Sequence, residues 1–337
     1  MVAAVMTAGM SIHASAPREP QGRPEHGRGA AGSPWPEHVE GQASAVSHEY
    51  AEVNGVRLHY ARTGRGPLIV FLHGFPEFWY EWRDQLAEFG RDHTAVAPDM
   101  RGYNLSSKPR ELSEYQMPYL VSDVHALASD LLKASGGSRF TLVAHDWGGV
   151  VAWVFAAQHP DLLDKLVIIN APHPTIFGRE LRDNAAQQQA SQYMLMFRGE
   201  QAEATLSANN YAGLVNAILG EGLKTGTVTE EDKKAYIEAW SQPGALTGGL
   251  NYYRAAAVGP PRPGETASPL TAQPLMVRVP TLVIWGEKDT ALLTGNLNGL
   301  DQYVTKLTVH RIPDATHWVV REKPAEVNRA IREFLSQ

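Results

Sequence analysis

Short apolar runs alternate with helical stretches along most of this chain, and this alternation constrains the fold more than any other feature. Five runs have strand length and end in glycine or polar residues: PLIVFLHG, HTAVAPDMRGY, RFTLVAHDWGG, LDKLVIINAPHP and VPTLVIWGEKD. Continuous apolar runs are typical of strands buried on both faces, as in a parallel sheet covered by helices. The sequence therefore predicts an α/β protein with a mostly parallel central sheet, whose chemistry collects at the carboxyl ends of the strands.

The strand pattern begins and breaks off at definite places. Two alternating segments surround Asn54-Gly55, a strong hairpin signal, and they mark the start of ordered structure. The segment before them is rich in Pro, Gly, Arg and Glu and has too little aliphatic surface to offset its ordering entropy. A later segment contains helical patterns but no such strand run. The predicted organisation is a disordered tail at 1–46, a core in two parts at 47–174 and 276–337, and a helical cap at 175–275.

The composition excludes several classes of function. The 337 residues carry a formal net charge of −6, which argues against nucleic acid or an anionic membrane surface as a partner. The sequence contains no cysteine, which excludes disulfides, thiolate catalysis and cysteine-bound metal. No histidine and carboxylate spacing is typical of a metal site, and no apolar run reaches the roughly 20 residues of a membrane-spanning helix. We expect no metal, no cofactor and no membrane span.

The first residues leave one alternative for the location of the protein. Ala14-Ser15-Ala16 resembles a signal-peptidase site, but no basic region precedes it and polar residues interrupt the apolar stretch. We therefore expect a cytoplasmic protein, with export as the alternative.

The stretch LVAHDWGGVVAW, from Leu142 to Trp153, has the outline of a nucleophile elbow, a sharp strand-turn-helix that exposes one reactive side chain. Asp146 occupies the centre, and Gly148 and Gly149 provide the small neighbours that such a turn needs. The alternative is that Asp146 simply caps the following helix, which aspartate does well.

Two further strand ends complete a possible catalytic triad. A carboxylate nucleophile forms a covalent ester, whose hydrolysis needs a base to activate water and an acid to orient that base. His317 follows the last strand, and Asp289 directly follows the strand VPTLVIWG. The chain order of nucleophile, acid and base is that of α/β-hydrolases. Taken alone, His317 would be interpreted as a structural histidine.

The loop HGFPEFWYEWR predicts an oxyanion hole. In such folds the loop after this strand supplies one backbone N–H and the residue after the nucleophile supplies the other. The candidates are Phe75 and Trp147, with His73 and Gly74 shaping the loop and a possible cis bond before Pro76. The alternative is a surface turn above an aromatic cluster.

Together these motifs resemble the epoxide hydrolases of the α/β-hydrolase superfamily. The resemblance runs from about residue 47 to the C-terminus and is carried, in order, by HGFPEFWYEWR, DMRGYNLSSKP, HDWGG, NAPHP, GEKD, NYYR and HWVVREKPAEVN. It implies a small-molecule epoxide and water as the reactants, with no cofactor. It also implies two tyrosines that donate to the epoxide oxygen, Tyr193 and Tyr253, with Tyr252 as an adjacent competitor. The alternative is that Tyr193 and Tyr253 are ordinary half-buried residues of the cap.

Two other functions stay open at this point. Haloalkane and haloacetate dehalogenases share the Asp-His-Asp scheme, although Phe75 and Trp147 stand where many of them carry Asn and Arg, respectively. The other alternative is a ligand-binding protein without catalysis.

We also expect Asp99 and Arg101 to pair and brace a loop, and His145 to support the oxyanion loop.

Overall fold

The computed structural model describes residues 46–261 and 274–337. Their centre is one sheet of eight strands in the order β1-β2-β4-β3-β5-β6-β7-β8. Only β2 runs opposite to the others, pairing antiparallel with β1 and β4. The strands are β1 (Ser47–Val53), β2 (Val56–Thr63), β3 (Leu68–Leu72), β4 (Thr94–Pro98), β5 (Phe140–His145), β6 (Leu163–Ile169), β7 (Thr281–Gly286) and β8 (Leu307–Ile312).

The five apolar runs form central strands of this sheet. Every residue of β3, β4, β5 and β7 is buried, as expected for strands with both faces covered. The hairpin predicted at Asn54-Gly55 joins β1 to β2. The prediction of an α/β-hydrolase fold with a mostly parallel sheet is confirmed.

Twelve α-helices accompany the sheet in the described part of the chain. Helices α2 and α3 pack together, as do α1 and α12, and α3 contacts β5 and β6. The helices are α1 (Arg83–Phe89), α2 (Met117–Ser135), α3 (Asp146–Gln158), α4 (Pro174–Asp183), α5 (Ala185–Ala190), α6 (Tyr193–Phe197), α7 (Ala202–Leu214), α8 (Gly220–Thr225), α9 (Glu230–Ser241), α10 (Ala245–Ala255), α11 (Val319–Glu322) and α12 (Pro324–Leu335).

Helices α4 to α10 lie between β6 and β7 in the chain, and the residues described in that interval include no strand. This agrees with the helical character predicted for the segment, whereas its boundaries as a domain stay a prediction. Apart from Val46, the predicted tail lies outside the described residues. Among the residues described, no helix combines the length and apolar character needed to cross a bilayer.

Candidate active site

Asp146 lies at the turn between β5 and α3 in a left-handed backbone conformation, with φ of +48°. Such a conformation is costly for a non-glycine residue and is found most often at functional sites. Close packing surrounds the turn, because a Cβ on Gly148 would collide with the backbone of Leu72. The N-cap position of α3 is His145, and no side chain caps the helix. The structure therefore does not support the alternative in which Asp146 serves as the helix cap.

Three side chains predicted from separate strand ends converge at this turn. His317 Nε2 lies 3.6 Å from Asp146 Oδ2, and His317 Nδ1 lies 2.7 Å from Asp289 Oδ2. Asp289 is fixed in turn by the side-chain amide of Asn170, which donates to Oδ2 at 2.8 Å, and by two backbone N–H groups that donate to Oδ1. The imidazole therefore faces one carboxylate with each ring nitrogen.

The two carboxylates control the charge of the imidazole. Burial alone would lower the pKa of His317, but the charge and hydrogen bond of Asp289, followed by the charge of Asp146, raise it to about 9. For Asp289, burial acts to raise the pKa, yet His317 and the donated hydrogen bonds hold it below its usual value. At neutral pH the site thus contains an imidazolium beside a buried carboxylate.

The loop after β3 contacts the Asp146 carboxylate through its backbone. The Phe75 N–H donates to Asp146 Oδ1 at 2.8 Å, and Gly74 lies so close that any Cβ there would collide with the same carboxylate. His73 is buried and shapes the loop, with Nδ1–H donating to the Gly74 carbonyl at 2.8 Å and Nε2 accepting from a backbone N–H at 3.0 Å. The bond between Phe75 and Pro76 is cis, which confirms that prediction.

Two cavities meet at the same carboxylate. One has a volume of about 60 Å³ and the other of about 630 Å³, and Asp146, Tyr193 and Tyr253 line both. Tyr193 begins α6 and Tyr253 lies on α10, with their ring centroids 6.4 Å apart. The hydroxyl of Tyr252 points elsewhere and donates to the Arg101 carbonyl at 2.9 Å.

Both cavity tyrosines are strong candidates for proton donors. Burial, and next the charge of Asp146, raise the pKa of Tyr193 and Tyr253 well above the usual value. Their hydroxyl groups therefore keep their protons throughout the pH range in which the protein would work. A group in the cavity that develops negative charge can be met by an O–H donor.

The predicted pairing of Asp99 with Arg101 is wrong. The side chains leave the turn after β4 in different directions: Asp99 bonds to His59 at 2.6 Å, whereas Arg101 makes a two-pronged ion pair with Asp123 at 2.7 and 2.8 Å. Asn104 adopts a positive φ and donates to Asp99 at 2.8 Å, so its side chain has a role that glycine could not fill.

His145 contacts two loops of the site. Its Nε2 lies 2.9 Å from the His317 carbonyl oxygen and its Nδ1 lies 2.6 Å from Glu81 Oε1, in the segment HGFPEFWYEWR. It therefore connects the loop of His317 to the segment that follows β3, and its supporting role stays a prediction.

Sequence reasoning missed a buried polar network that joins helices α9 and α11 to the loop after β3. Arg321 donates to Glu77 at 2.7 Å, to the Tyr236 hydroxyl at 2.9 Å and to the Ile218 carbonyl at 2.8 Å. The Tyr236 hydroxyl donates to the other Glu77 oxygen at 2.5 Å. Glu77 and Arg321 both lie within motifs quoted above, but nothing in their spacing reveals that they meet. Among the described residues, no group of three or more histidines and carboxylates is arranged to hold a metal.

Comparison with known proteins agrees with this fold and this site. The family described as the alpha/beta hydrolase fold matches residues 67–324, which defines the class of protein. Within that class, the chain belongs to the epoxide hydrolases of the α/β-hydrolase superfamily. Epoxide hydrolase 3 of Xenopus tropicalis is 38% identical over 84% of this chain and 76% of its own length. The AB hydrolase superfamily protein YfhM of Bacillus subtilis is 37% identical over 86% of this chain and 98% of its own length.

Solved structures give the same result. The crystal structure of a Bacillus megaterium epoxide hydrolase with a bound inhibitor is 39% identical, with a TM-score of 0.78 over 86% of this chain and 100% of that one. A variant of that enzyme, complexed with its naphthyloxy-propanediol product, has a TM-score of 0.78 at 38% identity over the same shares of the two chains.

Proposed function

We propose that this protein hydrolyses an epoxide to a vicinal diol through a covalent ester on Asp146. The main support for the proposal is that Asp146, Tyr193 and Tyr253 all line both cavities, so the carboxylate and the two phenol rings face the same space. A nucleophile and acid donors around one cavity are what opening a strained cyclic ether requires. The names of the relatives and the diol bound in the Bacillus megaterium enzyme support the same reaction.

In the first step, Asp146 Oδ2 attacks an epoxide carbon and the carbon–oxygen bond of the ring breaks. The departing oxygen takes a proton from Tyr193 or Tyr253, which yields a hydroxyalkyl ester. Asp146 Oδ1 accepts from the Phe75 N–H at 2.8 Å, which leaves Oδ2 as the oxygen free to attack.

Ester formation changes the charge of the base. The charge of Asp146 contributes to the raised pKa of His317, and that charge disappears when the carboxylate becomes a neutral ester. The pKa of His317 must then fall, so the imidazole can release its proton and act as a base. The cationic form of the free enzyme and the basic role in the second step are therefore consistent.

In the second step, His317, oriented by Asp289, takes a proton from water, and the resulting hydroxide attacks Cγ of Asp146. The negative charge develops on the former carbonyl oxygen, where the backbone N–H groups of Phe75 and Trp147 stabilise it. The ester bond breaks, the departing alkoxide oxygen takes the proton of the added hydroxyl, and the diol leaves with Asp146 again a carboxylate. The proton that His317 released after ester formation returns the tyrosine to its neutral form.

We further propose that α4 to α10 form a cap over the core. A small-molecule epoxide and water are the only partners that the reaction needs. We also propose that the protein acts in the cytoplasm. Cell fractionation followed by immunodetection tests the last point, and recovery in the extracellular or periplasmic fraction would contradict it.

A panel of aryl and alkyl epoxides, assayed beside chloroalkanes, bromoalkanes and haloacetates, tests the reaction. We expect diol from at least one epoxide and no halide release. Asp146→Ala should abolish diol formation. Halide release without diol would instead establish a dehalogenase, and binding without turnover of any substrate would favour a non-catalytic protein.

A further inference from the structure

A buried carboxyl group is connected to the triad histidine through one intervening side chain, His145. Glu81, in the turn before α1, is 1% exposed and His145, which precedes the nucleophile, is 0% exposed. His145 Nε2 lies 2.9 Å from the backbone carbonyl oxygen of His317, and the two imidazole rings are 4.7 Å apart. Glu81 and the backbone carbonyl of His317 thus contact the two different nitrogens of the His145 ring.

The hydrogen positions in this group follow from its contacts. A carbonyl oxygen only accepts, so the His145 nitrogen that faces His317 must carry a hydrogen. The other nitrogen, Nδ1, lies 2.6 Å from Glu81 Oε1, although the ring N–H direction does not align with that oxygen as a hydrogen bond. The 2.6 Å distance is nevertheless of hydrogen-bond length, and a contact this short between two electronegative atoms requires a proton on one of them.

That proton belongs to the carboxyl group. Burial, and next the charge of Glu77, raise the pKa of Glu81 well above its usual range. Burial, and next His317, lower the pKa of His145 to about 4. The charge of Arg321 acts to lower the pKa of Glu81, but its hydrogen bonds go to Glu77, Tyr236 and a backbone carbonyl.

We propose that Glu81 is a positioning residue whose protonated carboxyl fixes His145 as the Nε2–H tautomer, and that this tautomer holds the His317 backbone carbonyl and so places the catalytic imidazole. The inference rests on the proposed function. Without Glu81, His145 is free to move its hydrogen to Nδ1, and the His317 carbonyl then faces a lone pair. The imidazole would lose its fixed position relative to the ester.

The two reaction steps should respond differently. Asp146 and the tyrosines perform the first step, whereas only the second step needs the imidazole as a base. A displaced His317 should therefore slow hydrolysis of the ester more than its formation. A general loss of folded protein would instead reduce both steps equally and leave the ester fraction unchanged.

The test compares Glu81→Leu, which removes the donor, with Glu81→Gln, whose amide N–H can still donate to Nδ1. Glu111→Gln, an exposed position, serves as the control. Each variant is mixed with an epoxide that the wild type converts, and intact mass spectrometry measures the fraction of protein carrying the ester during turnover. For Glu81→Leu we expect kcat to fall by at least about tenfold, together with a larger ester fraction. Glu81→Gln should stay within about threefold of wild type.

A Glu81→Leu variant with unchanged kcat and unchanged ester fraction would overturn the inference, and so would a Glu81→Gln variant as impaired as Glu81→Leu. If Glu81→Leu does not fold, the Gln variant decides, because a tenfold loss of kcat in it contradicts the role assigned to the proton. If the wild type opens no epoxide, the proposed function itself is contradicted, and this result is distinct from the outcomes for the two Glu81 variants.

Discussion

At the scale of single residues, the proposed reaction depends on which groups keep their protons. Burial and the charge of Asp146 keep Tyr193 and Tyr253 protonated, so they stay available as acids. After Asp289, the charge of Asp146 also raises the pKa of His317, so the imidazole releases its proton more readily once Asp146 is an ester. One carboxylate therefore influences both the acids of the first step and the base of the second.

Replacing the base should separate the two steps. His317→Gln keeps a polar side chain but provides no base, so the ester should form and then persist. We expect kcat to fall by at least about a hundredfold. Intact mass spectrometry after mixing with an epoxide should show the mass of one substrate added to the protein, and peptide mapping should locate it on Asp146. His125→Gln on α2 is the matched control, and an unmodified His317→Gln protein would contradict the two-step scheme.

Removing the tyrosine hydroxyls should affect the first step. Tyr193→Phe and Tyr253→Phe should each slow ester formation in single-turnover measurements, and the double variant should lose about 10²- to 10⁴-fold, the usual value of general acid catalysis. Tyr252→Phe is a matched control, because its hydroxyl bonds to the Arg101 carbonyl. It should keep the rate and lose about 1 kcal/mol of stability. A double variant with the rate of the wild type would rule out these acids.

The sequence could predict which residues meet at the site, but not how each side chain leaves its turn. Asp146, Asp289 and His317 each follow a strand, and parallel strands end at one edge of the sheet. Asp99 also follows a strand, yet it bonds to His59 and not to Arg101. The direction was set by the turn itself and by Asn104, which the strand pattern does not describe. The roles of the site residues stay predictions.

At the scale of elements, one buried ion pair connects parts of the chain that are distant in sequence. Arg321 on α11 bonds to Glu77 in the oxyanion loop, to Tyr236 on α9 and to the carbonyl of Ile218, which lines the smaller cavity. The Trp240 ring N–H also donates to the Pro76 carbonyl at 2.7 Å. Helix α9 and the loop that contacts Asp146 are therefore fixed to each other.

Breaking this pair should destabilise the protein strongly. Arg321→Met leaves Glu77 charged and buried, a change that costs about 3–5 kcal/mol when one partner of a buried pair is removed. The double variant Arg321→Met with Glu77→Gln removes the stranded charge and should recover part of that loss. Urea unfolding measures both. Arg329→Met, at an exposed position on α12, is the control, and a single variant within about 1 kcal/mol of wild type would contradict this account.

Element types followed from the sequence more readily than their irregularities. The helical patterns of the cap segment are present as α4 to α10. However, α7 contains a kink where Asn209, Asn210 and Tyr211 have φ between +50° and +62°. Glycine usually marks such a conformation, and none is present here. Asparagine, which occupies two of the three positions, also tolerates it, and the Tyr211 hydroxyl donates to the Trp240 carbonyl at 3.2 Å.

At the scale of the whole molecule, buried histidines should set the pH of maximum stability. Burial lowers the pKa of His173 to about 4, and burial with the charge of His59 does the same for His48. Both have folded values below the unfolded value of 6.5, so their stabilisation is present above pH 6.5 and is lost as the pH falls towards 4. The raised pKa of His317 acts in the opposite sense, because its stabilisation is complete below pH 6.5 and is lost as the pH rises through about 9.

The Glu81–His145 pair adds to the alkaline side. In the folded protein the pair holds one titratable proton, which we assign to Glu81. In the unfolded chain Glu81 is ionised at this pH, and His145 loses its proton near pH 6.5. Above that pH the folded state therefore holds protons on His317 and on the pair that the unfolded chain has released. Each makes the free energy of unfolding fall as the pH rises, by at most about 1.4 kcal/mol per pH unit.

Urea unfolding between pH 6.5 and 9 measures this slope directly. We expect the stability of the wild type to fall as the pH rises, with a slope of up to about 3 kcal/mol per pH unit at a constant m-value. Glu81→Gln cannot bind the second proton, so its slope should be about half as steep, and Glu111→Gln should match the wild type. A wild-type stability that stays level from pH 6.5 to 9 would contradict the protonated His317. Equal slopes in wild type and Glu81→Gln would place no proton on Glu81.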